Sequence, residues 1–215
     1  RHELQNEANR LLIEHTMAMP GVPDGAAPGP GLTSLLRMNR TLTGIPVVVG
    51  SDEGTYGDTA DAFVAMGEAI DRAERFVHVE FYIASWDEVT DPVFTALVAA
   101  RARGVEVRFL MDHLGSRSYD GFTDLQRRLT EADIDWHLMM PIQPFRGRWR
   151  RPDLRNHRKL LVVDGTRAFV GSHNLIGPSY GSEKNATVGR WWKDLSIQVG
   201  GEVVTAVEAV FATDW

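Results

Sequence analysis

The chain of 215 residues is 43% hydrophobic and 24% charged, which excludes wholesale disorder and allows one substantial domain with some residues to spare. It contains no cysteine, so disulfides, Cys-ligated metal sites and a cysteine nucleophile are excluded. A net charge of −6 argues against a protein whose whole surface binds nucleic acid.

The chain is expected to be a soluble piece of a longer protein. Every apolar stretch is far shorter than the roughly 20 residues that span a bilayer, and no signal peptide is visible. The first residue is Arg1 rather than Met, which indicates a trimmed or processed chain.

The N-terminal region is predicted to lie outside the main domain. Apolar residues at helical spacing between positions 3 and 16 predict an amphipathic helix within residues 1–19. The following run, PGVPDGAAPGP, breaks helices and strands and predicts a linker over residues 20–32. The compact domain is then expected over residues 33–215.

From position 47 onward, helix and strand patterns alternate. Strands are predicted at 47–49, 77–83, 105–111 and 134–139, and helices after Asp58 or Thr59, from Asp91 to Gly104 and over 122–132. A strand, a helix and a strand at this spacing form a βαβ unit with parallel strands. The fold class is therefore α/β, with helices covering a central sheet.

The most informative region is a strand–turn–strand pattern over residues 156–174, NHRKLLVVDGTRAFVGSHN. Asp164-Gly165 predicts a tight hairpin turn, because this pair tolerates positive φ angles. Alternation along each strand gives the two strands one polar face each. The side chains on these faces are His157, Lys159, Ser172 and Asn174. An even loop would bring the two faces together, whereas an odd loop would scatter the four side chains.

These four side chains suit a phosphoryl group. Lys159 offers a compact positive charge, and Ser172 and Asn174 offer a hydroxyl and an amide to non-bridging oxygens. Neutral His157 can act as a nucleophile or proton carrier near pH 7. An isolated H-x-K triplet is usually an ordinary polar strand face, so the triplet alone would not support this interpretation.

The complete spacing is more specific. The pattern H-x-K-x4-D-x6-G-S-x-N, from His157 through Asp164 to Asn174, resembles the signature of the phospholipase D superfamily. The resemblance continues in HVEFYIASWDEVTDPVFTALVAARARGVEVRFLMDHLGS, DLRN, WWKDLSIQVGG and VFATDW. These segments look like the first half of bacterial cardiolipin synthases, from about Leu35 to Trp215. The resemblance implies a phospholipase D-like domain, with a central mixed sheet flanked by helices and the motif on a β-hairpin.

This resemblance also implies a reaction. His157 would attack a phosphatidyl phosphodiester and form a phosphohistidine, and an alcohol such as phosphatidylglycerol would then take the phosphatidyl group. Lys159, Ser172 and Asn174 would hold the phosphate. Asp164, which belongs to the catalytic motif, would orient and support it rather than react. Neither a metal nor a cofactor is expected.

A histidine nucleophile needs a carboxylate or carbonyl on its other ring nitrogen to fix the tautomer. Asp194 is the candidate, because the family places an acid in this stretch. Glu183 is the rival, and a salt bridge of Asp194 with Lys193 or a neighbouring arginine is the structural alternative.

A basic run precedes and overlaps the motif. Between Phe145 and Lys159 there are six arginines against the single acid Asp153, and Trp149 lies among them. This composition predicts contact with an anionic lipid headgroup layer or a nucleic-acid backbone, or else a solvated surface loop. The expected headgroup contacts are Arg148, Arg150, Arg151 and Arg155.

The superfamily chemistry uses two such motifs, and this chain contains no second H-x-K-x4-D. A partner half or a second copy of the chain would have to complete the site, so we expect the isolated chain to have little or no transferase activity. The full-length protein is expected at the bacterial cytoplasmic membrane, acting on phosphatidylglycerol or a similar lipid.

Two other functions remain open at this point. The chain could form a homodimeric phosphodiesterase or nuclease of the same superfamily, although nucleic acid is not the expected partner. It could also be a module that binds phosphate or membranes without catalysis.

Overall fold

The computed structural model describes residues 2–19, 21–22, 29–142 and 153–215. The strands in these ranges are β1 (Ser51–Tyr56), β2 (Phe76–Phe81), β3 (Glu106–Asp112), β4 (Asp135–Met139), β5 (Lys159–Val163), β6 (Arg167–Gly171) and β7 (Ser196–Gly200). The helices are α1 (His2–Ala18), α2 (Pro30–Thr43), α3 (Thr59–Asp71), α4 (Asp91–Ala102), α5 (His113–Arg117), α6 (Phe122–Glu131), α7 (Glu183–Thr187) and α8 (Glu202–Asp214).

The strands form one mixed sheet in the order β1-β7-β6-β5-β2-β3-β4. β2, β3 and β4 are parallel, and the other neighbouring strands are antiparallel. α4 connects β2 to β3, so the predicted βαβ unit is confirmed. The predicted α/β class, with a mixed sheet flanked by helices, is also confirmed.

Both faces of the sheet are covered by helices. α3, α4 and α6 cover one face, where Phe63 and Phe109 are fully buried. α8 covers the other face, where Phe211 is buried. α1 packs against α8, and Asn9 Nδ2 donates a hydrogen bond of 3.3 Å to the Ala212 carbonyl. The central strands are therefore enclosed on both sides.

Local sequence signals explain where two helices begin. The Asp58 carboxylate accepts hydrogen bonds from the backbone N–H groups of Ala60 and Asp61, which confirms Asp58 as the cap of α3. Pro92 occupies the first turn of α4, where its missing N–H costs nothing. The chain then leaves α4 through Gly104, whose φ of 92° favours glycine.

The structure differs from the sequence prediction before residue 57. The predicted strand at 47–49 is wrong, because the strand lies at Ser51–Tyr56 and pairs with β7. Edge strand β1 is polar and exposed, so it lacks the apolar alternation that a strand prediction relies on.

α2 begins at Pro30, inside the predicted linker; residues 20 and 23–28 of that linker lie outside the described residues. The division into 1–19, 20–32 and 33–215 stays a prediction. In the described part of the chain, no helix combines the length and apolar character needed to cross a membrane.

Candidate active site

A pocket of about 400 Å³ opens where β2 and β6 end and β5 begins. Its lining includes all four side chains of the predicted phosphate site. The residues that line it are Tyr82, His157, Lys159, Gly171, Ser172, Asn174, Tyr180, Trp192 and Asp194. His157 and Lys159 come from the start of β5, whereas Ser172 and Asn174 follow β6. The hairpin therefore gathers an imidazole, an ammonium, a hydroxyl and an amide in one place.

The hairpin does this with a register that was expected to scatter the four side chains. Val163 pairs with Arg167, so three residues, Asp164 to Thr166, form an odd loop between the strands. The expectation that an odd loop would scatter the side chains is wrong. Alternation holds only inside the ladder between β5 and β6, and that ladder ends at the pair Leu160 and Val170, before Ser172.

Gly171 lies directly after the end of this ladder. A Cβ atom at Gly171 would lie 2.2 Å from the Leu195 carbonyl oxygen and 2.6 Å from Ser196 Cα. The close approach of these two backbones therefore requires glycine at this position. Beyond it, Ser172 Oγ accepts a hydrogen bond of 3.0 Å from the Leu195 N–H, which leaves the hydroxyl proton available to a ligand in the pocket.

His157 is exposed, and its position is set by an aromatic neighbour. Its ring stacks on Tyr82, with centroids 3.7 Å apart and 21° between the planes. Lys159 Nζ donates to the His157 carbonyl and lies 5.3 Å from the Tyr82 ring centre. Burial lowers the pKa of Lys159, although the negative charge of Asp194 opposes this shift. The nucleophile candidate and the positive charge thus share one aromatic support.

Asn174 is held at both ends of its amide. Its Oδ1 accepts a hydrogen bond of 3.1 Å from the Ile83 N–H, and its Nδ2 donates to Tyr180 Oη at 2.9 Å. Burial raises the pKa of Tyr180, the hydrogen bond from Asn174 lowers it, and the charge of Asp194 raises it further. One proton of the Asn174 amide remains to be directed into the pocket.

Asp194 lines the same pocket, as its sequence position predicted. In the described part of the chain, no hydrogen bond joins its carboxylate to the His157 ring. Its negative charge opposes the fall in pKa that burial causes at Lys159 and at His173. The rival Glu183 is the first residue of α7 and does not line this pocket. The structure therefore brings Asp194, and not Glu183, to the site.

Asp164 lies at the opposite end of β5 from the pocket. Its carboxylate accepts hydrogen bonds from the backbone N–H groups of Glu74, Arg75 and Phe76, at 2.8 to 2.9 Å. Burial tends to raise the pKa of Asp164, but these hydrogen bonds outweigh it and hold the pKa below its ordinary value. Five strand residues separate Asp164 from the pocket by about 17 Å. Asp164 anchors the hairpin to the start of β2 and cannot touch a substrate in the pocket.

The expected contact between Arg155 and a lipid headgroup is wrong. The Arg155 side chain is only 3% exposed and forms a buried ion pair of 2.8 Å with Asp112, which is itself fully buried. Arg155 Nη2 also donates to the Met139 carbonyl at 3.4 Å. Arg155 lies in the interior because its partner Asp112 is buried there. The local sequence does not reveal this burial. Arg148, Arg150 and Arg151 lie outside the described residues.

Several residues around the site were missed at the sequence level. Tyr82 and Tyr180 line the pocket, and Trp192 lines it while remaining 60% exposed. Glu80 alternates with apolar residues and so looks like a solvent-facing strand residue, yet it is fully buried because helices cover both faces of the sheet. The useful signal for Tyr82 was its place directly after a buried strand.

Among the described residues, no cluster of three or more acidic or His side chains could hold a metal ion.

The sequence is similar to that of known proteins. Residues 66–215 match the family model described as "Cardiolipin synthase, PLD-like domain". The chain is 31% identical over 183 residues to the cardiolipin synthase of Geobacillus sp. (strain WCH70), covering 84% of this chain and 35% of that protein. It is 32% identical over 181 residues to cardiolipin synthase A of Proteus mirabilis (strain HI4320), covering 84% and 37%. The chain thus spans about a third of the length of these curated relatives.

The fold is also similar to solved structures. The phospholipase D family member Nuc from Salmonella typhimurium superimposes with a TM-score of 0.56 at 18% identity, over 78% of this chain and 95% of that one. NucT from Helicobacter pylori gives a TM-score of 0.55 at 11% identity, over 77% and 96%. These likenesses concern the fold. Because the family model matches well over half of the sequence, the chain belongs to the family of cardiolipin synthase PLD-like domains.

Proposed function

We propose that this chain carries one motif-bearing half of a phosphatidyltransferase of the cardiolipin synthase type, with His157 as its nucleophile. The observation that supports this most directly is the single pocket that His157, Lys159, Ser172 and Asn174 line together. One nucleophile, one cation and two neutral donors are what a phosphodiester needs around its phosphorus.

In the first step, a ring nitrogen of His157 forms a bond to the phosphorus, and the bond from phosphorus to the departing alcohol oxygen breaks. That oxygen takes a proton from an acid. In the second step, the hydroxyl of an acceptor such as phosphatidylglycerol loses its proton to a base and attacks the phosphorus, and the bond from phosphorus to nitrogen breaks. Lys159, Ser172 and Asn174 stabilise the charge on the phosphorus oxygens.

Asp194 is proposed as the group that stabilises the imidazolium of His157. Its carboxylate lines the pocket and lies near Lys159. In this role, the Asp194 carboxylate would accept a hydrogen bond from the second ring nitrogen of His157 when substrate is bound.

The acid and base of the reaction need a second histidine, because the chain has only one motif. A second half on a longer chain, or a second copy of this chain, would supply it across the open pocket. The first arrangement suits a cardiolipin synthase at the bacterial cytoplasmic membrane. The second suits a homodimeric phosphodiesterase or nuclease.

The deciding experiment uses the protein with its natural flanking sequence and vesicles of phosphatidylglycerol. We expect cardiolipin and glycerol as products by mass spectrometry. His157→Asn should abolish both, and Lys159→Met should lower the rate by about 10² to 10³-fold, the size of one lost oxyanion contact. Asp194→Asn should slow the reaction, whereas Glu183→Gln is the matched control and should leave it unchanged.

Other outcomes would overturn the proposal. DNA cleavage by a stable dimer of the 215-residue chain, without lipid turnover, would support the nuclease. Vesicle binding that survives the double change His157→Ala and Lys159→Ala, without any turnover, would support a binding module. Turnover of phosphatidylglycerol by the isolated chain, lost in His157→Ala, would contradict the half-site.

A further inference from the structure

A cluster of polar side chains lies beside His157, on the side away from Lys159 and Ser172, and His157 lines a second, open pocket with three of its members, Asn156, Arg158 and Asp214. The amide of Asn156 donates two hydrogen bonds, one of 2.8 Å to Glu80 Oε1 and one of 2.7 Å to Asp214 Oδ2. Its carbonyl oxygen accepts a hydrogen bond of 3.0 Å from the Arg158 N–H. One side chain therefore uses both ends of its amide to join β2, the end of α8 and the strand that begins after His157.

The residues on both sides of His157 are tied to this cluster. The Arg158 guanidinium pairs with the Asp214 carboxylate, and Asn156 bonds to Asp214 and Glu80. The His157 ring itself makes no hydrogen bond to the described residues. Its position is set by the backbone on either side and by the stack on Tyr82.

The cluster contains two carboxyl groups on one amide, and Glu80 is completely buried. Among the described residues, no N–H or hydroxyl group donates to Glu80 Oε2, so a proton shared with the Asp214 carboxyl would satisfy this buried oxygen. Two carboxylates this close repel each other unless they share a proton. Burial, and then the charge of Asp214, raise the pKa of Glu80 to about 8, against the opposing effects of Arg158 and Asn156.

The surroundings of Glu80 offer little else to balance a charge. The charges that act on Glu80 are those of Asp214, on α8, and Arg158, directly before β5. The residues that pair with Glu80 on β3 and β5 are Leu110 and Leu160. A neutral Glu80 is thus the form that fits this interior near pH 7. In that form it can accept from Asn156 and keep its own proton for Asp214.

A nucleophile must sit close to the in-line direction of the bond that it breaks, and a misplacement of about 1 Å costs about 10²-fold in rate. Given the proposed role of His157, on which this step rests, we propose that Glu80 and Asp214 act through Asn156 as positioning residues that fix the backbone on both sides of the nucleophile. The carboxyl groups of Glu80 and Asp214 share one proton, and the Asn156 amide links the sheet and α8 to the backbone at His157.

The test compares Asn156→Ala with Asn39→Ala in the protein with its natural flanking sequence. Asn39 Nδ2 also donates to a backbone carbonyl, that of Ile45 at 3.0 Å, but Asn39 lines neither of the pockets that contain His157. Asn156→Ala should lower kcat by about 10²-fold while KM for phosphatidylglycerol changes little, because the phosphate contacts are intact. Asn39→Ala should change neither. A wild-type kcat in folded Asn156→Ala would overturn the proposal.

Glu80→Gln keeps the test decisive if Asn156→Ala does not fold. Glutamine mimics the protonated acid, since its oxygen accepts and its amide donates, but it cannot ionise. The variant should match the wild type at neutral pH and keep its activity above about pH 8, where ionisation of Glu80 would loosen the wild-type cluster. Identical pH profiles for the two proteins would overturn the proposal.

A second readout needs no turnover. In the 215-residue chain labelled with ¹⁵N-histidine, Asn156→Ala should shift or broaden the ring signals of His157, and Asn39→Ala should leave them in place. Unchanged ring signals in Asn156→Ala would overturn the positioning role. If the wild-type protein proves to lack lipid turnover, the proposed function fails while this measurement still decides whether the cluster orients His157.

Discussion

The imidazole of His157 lies flat against the ring of Tyr82, with 3.7 Å between the ring centroids. This stack occupies one face of the imidazole and leaves its edge, which carries both nitrogens, free. Tyr82 directly follows β2, so a buried strand of the sheet carries the support. The proposed nucleophile is therefore held by a contact that leaves both of its ring nitrogens available.

Tyr82 should matter through its ring rather than its hydroxyl. Tyr82→Phe keeps the stack, and we expect wild-type kcat. Tyr82→Leu removes the flat support, and we expect kcat to fall by about 10-fold, the value of a contact of about 1.4 kcal/mol. Steady-state kinetics with phosphatidylglycerol vesicles measure both variants. A loss in Tyr82→Phe equal to that in Tyr82→Leu would show that the hydroxyl takes part.

Asp164 should contribute to stability and not to chemistry, although it belongs to the motif. Asp164→Ala removes the acceptor of three backbone N–H groups and puts alanine at a φ of 53°. We expect the free energy of unfolding to fall by about 2 kcal/mol. Asp164→Asn should lose less, because asparagine keeps one acceptor and tolerates positive φ.

Urea denaturation at pH 7 measures these losses for Asp164. Activity per folded molecule should stay at the wild-type level in both variants. A fall in kcat for folded Asp164→Asn, with unchanged stability, would contradict a purely structural role.

Arg155, which was expected to contact a headgroup, forms a buried ion pair with Asp112. Arg155→Met leaves Asp112 charged and unpaired in the interior, so we expect a loss of about 3 to 5 kcal/mol in the free energy of unfolding. The double change Arg155→Met and Asp112→Leu should recover most of it. Binding to anionic vesicles should be unchanged in the double variant. Weaker vesicle binding by the double variant would support a contact between Arg155 and lipid headgroups.

The fold and most of the site could be predicted from local patterns. Apolar alternation located β2 and β3, and the H-x-K spacing located the residues that line the pocket. The register of the hairpin could not be predicted, because the Asp164-Gly165 pair marks a turn but does not show whether Thr166 belongs to the loop, as it does in the structure. The four side chains come together because the backbone at Gly171, directly after the last pair between β5 and β6, approaches Leu195 and Ser196 closely.

The burial of charged side chains could not be predicted from the sequence either. Glu80 and Arg155 have the sequence context of exposed residues, and only the packing of α8 and the position of Asp112 bury them. Such pairings are long-range, since Glu80 meets Asn156 across 76 positions of sequence. A local window contains one member of each pair and cannot reveal the other.

Glu80 should make stability depend on pH in a direction opposite to that of most carboxylates. Its pKa is raised from an ordinary 4.5 to about 8, by burial first and by Asp214 second. Between these values the folded protein holds a proton that the unfolded chain has released, so stability falls as the pH rises through this range and levels off above it. Glu80→Gln removes this dependence.

The free energy of unfolding of Glu80→Gln relative to wild type should therefore increase from pH 5 to pH 9. At about 1.4 kcal/mol per pKa unit, the increase is at most about 5 kcal/mol. Urea denaturation across this pH range measures it, and titrating groups outside the Glu80–Asp214 pair cancel in the difference. Glu183→Gln, on exposed α7, is the matched control and should run parallel to the wild type. Parallel curves for Glu80→Gln would mean that Glu80 is already ionised near pH 5, and the shared proton with Asp214 would have to be abandoned.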